Sequence, residues 1–80
     1  MDSSTIYREL TATLEAEFNC PLTDADTAGL NAGLTGVGDR PLFARSAAGV
    51  EAGERYSRAH ALGLANAERY QVACVAEGWR

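Results

Sequence analysis

An all-α domain of three to four helices is what this sequence predicts, and three observations predict it. Apolar residues recur at helical rather than alternating spacing. Alanine, the strongest helix former, is abundant, while proline occurs at only two positions, Pro21 and Pro41. Capping residues and glycines punctuate the chain where helices would start and stop. The expected helices cover about 3–18, 24–35, 46–62 and 65–77, in one domain spanning 1–80.

The first helix rests on Ile6, Leu10, Leu14 and Phe18, which recur every fourth residue and make one apolar stripe with Tyr7 alongside. Ser3 or Ser4 supplies the N-cap. Asn19-Cys20-Pro21 ends the helix, because proline disfavours helical geometry before it and Asn tolerates a left-handed cap.

Thr23-Asp24-Ala25-Asp26 starts the second helix. Thr23 is the N-cap, and Asp24 and Asp26 place negative charge at the positive end of the dipole. These two carboxylates are not followed by others at calcium-loop spacing, so no metal is expected there. Gly29, Ala32, Gly33 and Gly36 share one face, which lets another helix approach closely. Gly36 is placed as a left-handed C-terminal residue. A phosphate-binding loop is excluded: no strand precedes the glycines, no Gly-Lys-Ser/Thr follows, and the chain has no lysine.

Pro41 suits the first turn of the next segment. Leu42 and Phe43 are expected to anchor the loop on the core. From Ser46 to Glu77 the pattern is helical, with Glu51–Arg55 and Glu54–Arg58 at i,i+4. A break near Gly63 divides this long stretch, and Tyr70–Val75 has a short strand as its alternative. Leu30, Leu34, Leu62, Leu64 and Trp79 complete the large core candidates. A chain of 80 residues buries little area, so dimerisation would be a natural supplement, and a structural homo-oligomer packed through the glycine face is one alternative function.

The net charge of −4 is unevenly divided. Residues 1–39 hold seven carboxylates against Arg8, a net −6, whereas 40–80 carry a net +2. An acidic chain is a poor general binder of nucleic acid, whose affinity comes from phosphate neutralisation. It suits a basic protein or ribonucleoprotein surface instead. The contact set expected on this ground is Glu15, Glu17, Asp24, Asp26 and Asp39. A basic alternative, Arg40, Arg45, Arg55 and Arg58 with Tyr56, would face RNA, with His60 beside it.

Catalytic chemistry lacks its parts. Ser57 and His60 stand at i,i+3 without a positioned acid or nucleophile elbow. Cys20 and Cys74 show neither zinc spacing nor a disulfide framework. Glu15 and Glu17 point to different faces of one helix. A non-enzymatic protein without cofactor or metal is expected. No apolar run approaches membrane-spanning length and no signal peptide opens the chain, so the expected location is cytoplasmic, away from membranes.

Gly29-x-x-Ala32-Gly33-x-x-Gly36, then Pro41, then a helix with Gly53, resembles the pattern of the ribosome modulation factor family and its small phage-borne relatives, over residues 29–59. That resemblance implies two helices joined by a loop, with Gly33, Gly36 and Pro41 at the turn, and a ribosome-silencing function. The chain departs from the pattern at Phe43, at Val50 where tryptophan is expected, and in its acidity. In profile it is also similar to phage accessory proteins, among them anti-CRISPR inhibitors, which implies stoichiometric inhibition of a host complex that handles nucleic acid.

Overall fold

A computed structural model describes residues 2–78 and contains three helices: α1 (Ser3–Phe18), α2 (Asp24–Thr35) and α3 (Ala47–Ala76). Trp79, a core candidate, and Arg80 lie outside the described residues. The described residues contain no strand, so Tyr70–Val75 is helix.

Helix α1 starts one residue earlier than its serines suggest. Asp2 is the N-cap and its Oδ1 accepts from the Thr5 amide at 2.8 Å. Ser3 is buried and serves elsewhere: its hydroxyl donates to Glu77 Oε1 at 2.7 Å, and its amide donates to Glu77 Oε2. Ile6, Leu10 and Leu14 are buried as their spacing requires. Asn19 ends the helix at φ 58°, in the left-handed region.

Helix α2 opens on a reciprocal capping box. Thr23 Oγ1 accepts from the Asp26 amide at 3.3 Å, and Asp26 Oδ2 accepts from the Thr23 amide at 3.0 Å. Gly36 closes it at φ 73°, its amide donating to the Ala32 carbonyl at 2.8 Å.

Helix α3 is continuous for 30 residues, about 45 Å. It begins on Ser46, whose hydroxyl accepts from the Gly49 amide at 3.1 Å. The break expected at Gly63 does not occur. The small residues of α2 and α3 face each other there: a Cβ on Gly63 would lie 2.6 Å from the Leu30 carbonyl oxygen and 3.0 Å from the Gly33 Cα. Close approach of the two backbones offsets the roughly 1 kcal/mol that an interior glycine costs a helix. A Cβ on Gly29 would likewise meet the Tyr56 carbonyl at 2.7 Å, and one on Gly33 would overlap the His60 carbonyl.

Paired contacts fix the directions of the helices. Asp26 meets Arg55, and the Leu34 carbonyl accepts from Gln71 Nε2 at 3.0 Å, so α2 runs parallel to α3. Ser3 meets Glu77, Glu9 meets Arg69 at 3.7 Å, and Glu17 meets Arg58 at 2.8 Å, so α1 runs antiparallel to it. Ile6, Leu10, Leu14, Leu30, Leu34, Ala59 and Ala73 form the core between them, with Tyr7, Phe18, Leu22, Leu62 and Tyr70 at its edge.

A parallel α2–α3 pair obliges the connection to travel the full length of α2 and further. Thr35 follows Asp26 by nine residues and Ala47 precedes Arg55 by eight, so the strap 36–46 must return about 26 Å along the axis. Its 11 residues reach about 36 Å when extended, so most of that reach is used and the strap contains no helical turn. That explains two departures from expectation. Pro41 sits within the extended strap rather than in a first helical turn. Leu42 is fully exposed, 101%, and only Phe43 turns inward, its ring 5.9 Å from that of Tyr56. Leu64, also expected in the core, is 55% exposed because the far side of α3 is uncovered.

Candidate functional site

The expected acidic contact set divides. Glu15, Asp24 and Asp39 are exposed, and no hydrogen bond or ion pair engages their carboxylates among the described residues. Glu17 is held by Arg58 Nε at 2.8 Å. Asp26 is not a surface group: it is 1% exposed, caps α2 and pairs with Arg55 Nη2 at 2.5 Å. A carboxylate at the third position of a helix is drawn back to the N-cap amide, and here the α3 arginine closes over it.

The expected basic face is dismantled by the same pairings. Arg55 is taken by Asp26 and lies over the Phe18 ring, 4.6 Å from its centroid. Burial works against the Arg55 charge, but the Asp26 hydrogen bond and Coulomb attraction outweigh it and raise its pKa above the ordinary value. Asp26 Oδ1 and Arg55 Nε have no hydrogen-bond partner, which limits the net stabilisation of the pair. Arg58 belongs to Glu17, and Tyr56 is 4% exposed, so its ring is not presented for base stacking. The intrahelical pairs Glu51–Arg55 and Glu54–Arg58 do not form, because both arginines reach across to other helices instead.

Arg40 completes an arrangement that sequence reasoning missed. Its guanidinium lies 5.4 Å from the Phe43 centroid and 5.1 Å from that of Tyr56. Nη1 donates to Ser57 Oγ at 2.9 Å and Nη2 to the Gly53 carbonyl at 3.2 Å. The strap is thus fastened to α3 by one arginine between two rings. Gly53 lies underneath, where a Cβ would be 3.3 Å from Arg40 Nη2 and 3.4 Å from the Phe43 ring, a tight but not overlapping fit. A groove of about 600 Å³ opens beside this stack, with Arg40, Arg45, Val50, Glu54 and Ser57 on its walls.

The other residues with latent chemistry are engaged structurally or stand apart. Ser57 faces Arg40, and the His60 ring stacks on Tyr56 at 6.2 Å with 14° between planes. Cys20 and Cys74 are half-buried free thiols. Among the described residues no three His, Cys, Asp or Glu side chains converge to hold a metal ion. No helix there is long and apolar enough to cross a membrane. No protein-family model, curated protein or solved structure matches the chain.

One pattern emerges from the pairings. Arg40, Arg55, Arg58 and Arg69 are spent on contacts within the chain. By contrast, Glu15, Asp24, Asp39, Glu51, Glu54 and Glu68 engage no partner among the described residues. The signal for this lay in the chain's missing lysines: arginine forms forked, stacked and shared contacts that an ammonium does not.

Proposed function

We propose that the chain is a small non-enzymatic acidic binding protein of phage or mobile-element origin. In this reading it inhibits a host nucleic-acid-handling complex by stoichiometric contact, as anti-CRISPR inhibitors do. The observation that supports this is the pairing of Arg55, Arg58 and Arg69 with carboxylates of the chain and the holding of Arg40 by Ser57 and Gly53, which leaves Glu15, Asp24, Asp39, Glu51, Glu54 and Glu68 exposed without a partner among the described residues. Such a surface is attracted to arginine- and lysine-rich sites that otherwise receive phosphates, and suppresses association with nucleic acid itself. The contact residues are Glu15, Asp24 and Asp39, with Asp26 removed from the set and Glu17 shared with Arg58.

The test is phage plating on a strain carrying an active RNA-guided immune system, with a band-shift assay of the purified immune complex. The expected result is restored plating and loss of DNA binding at molar excess of the protein. Glu15→Lys, Asp24→Lys and Asp39→Lys together should abolish both while leaving the helical signal intact. Failure of the wild-type chain to affect any such complex overturns the reading.

A ribosome-modulating function is the second reading, and Arg40 and Arg45 on the wall of the groove favour it. Ribosome binding that falls steeply with salt and is lost in Arg45→Ala would support it. Packing of two copies through the glycine face, a third idea, meets the obstacle that α3 of the same chain occupies that face.

A further inference from the structure

We propose that the strap is a gated cleavage site: an endoprotease that takes an apolar side chain just ahead of the bond cuts between Leu42 and Phe43, and the cut chain stays assembled. Such a cleft binds its substrate as extended backbone, pairs with alternate amides and carbonyls, and receives one side chain in a pocket. The strap offers each of these. From residue 37 to residue 44 the chain has no turn or bend. From Gly38 to Arg45 no backbone amide or carbonyl has a hydrogen-bond partner among the described residues. Leu42 projects from it fully exposed. Pro41 lacks an amide hydrogen, but alternate pairing through Arg40 and Leu42 passes over it. The other exposed large apolar residues do not qualify. Val50, Leu64, Val72 and Val75 belong to α3, whose backbone groups are paired inside the helix. The Val37 amide donates to Thr35 Oγ1 at 3.3 Å, and its carbonyl accepts from that hydroxyl at 3.4 Å.

The clasp is the gate. Arg40 stands two residues before Leu42, and Phe43 stands directly after the bond. Both are fastened to α3, Arg40 by Ser57 and the Gly53 carbonyl and both by the Tyr56 ring. While they are fastened, α3 covers one side of the strap and a cleft cannot close around the backbone. The strap is longer than its span, so it can lift while α2 and α3 stay packed. Cleavage proceeds from the lifted form and follows its population. The protease adds one water across the bond: the hydroxyl goes to the Leu42 carbonyl carbon and the remaining hydrogen to the Phe43 nitrogen, with nothing oxidised or reduced. Contacts on both sides of the cut then hold the pieces together. Asp26 with Arg55, Glu17 with Arg58, the Leu34 carbonyl with Gln71 and Ser3 with Glu77 each join residues 1–42 to residues 43–80.

The site goes beyond the acidic-surface reading and is tested with no host complex present, so the two stand or fall apart. The test is limited digestion of the full chain with subtilisin, whose broad specificity leaves the choice of bond to the shape of the substrate, followed by mass spectrometry. The first cut should fall between Leu42 and Phe43, and the two fragments should elute together with their helical signal retained. Leu42→Asp should slow that cut at least about tenfold, and Arg40→Ala should speed it about tenfold by releasing the clasp. Both sites are exposed, and circular dichroism checks that each variant keeps its helices. A faster cut confined to this bond distinguishes a lifted strap from general unfolding, which would open bonds in α1 and α3 as well. Three results overturn the proposal: a first cut at any other bond, an unchanged rate in Leu42→Asp or Arg40→Ala, or fragments that separate and lose their helices.

Discussion

Asp26 carries three tasks with one carboxylate: it closes the capping box, receives Arg55 and fills space in the core. Removing one partner of such a pair strands the other, so Asp26→Ala should lower stability by about 3 kcal/mol in urea denaturation. Asp26→Leu combined with Arg55→Met should recover much of that loss, because no charge is then left desolvated. A recovery no better than Asp26→Ala alone would show that the cap, rather than the pair, matters. Tyr70 offers a test by pH. Burial, then Cys74, and then the Tyr7 and Glu77 neighbours raise the pKa of its phenol. The folded state therefore favours the neutral form, and this contribution is complete below the unfolded value of about 10. It is lost as pH rises through the higher folded value. Urea midpoints should fall on the alkaline side, and Tyr70→Phe should flatten that fall relative to the parent chain.

At the level of elements, α2 and α3 are joined by what they lack. Alanine is the better helix former, so Gly33→Ala and Gly63→Ala would stabilise isolated helices by about 1 kcal/mol each. Here each should destabilise instead, because the added methyl meets backbone rather than a movable side chain. A thermal midpoint that rises in Gly63→Ala would contradict the close approach. The caps at Thr23, Asn19 and Gly36 were legible in the sequence because capping depends on neighbours a few residues away. The α1 stripe and the small-residue face of α2 were legible from spacing alone. Gly63 was misread as a break because propensity is local, whereas the partner that makes glycine necessary is 30 residues earlier. Arg55 and Arg58 were misassigned for the same reason: i,i+4 glutamates are visible in the sequence, while Asp26 and Glu17 become neighbours only after folding.

For the whole molecule, α3 is the beam and the other elements are tied along it. At its far end Ser3 is joined to Glu77, which sequence alone did not suggest across 74 positions. Glu77→Ala should release the first turn of α1, costing about 1 kcal/mol and speeding amide exchange there while leaving α2 protected. The surface pattern also follows from the global arrangement, since arginines spent between helices leave the acids to solvent. The strap from 36 to 46 has a consequence of another kind. Its reach exceeds the distance it covers by about 10 Å, so the molecule contains a tether with slack worth about three residues. Length changes there should be tolerated unequally in the two directions. Extra residues would bulge into solvent at small entropic cost, whereas removing four would leave the strap too short and force α2 and α3 out of register, undoing the glycine contact.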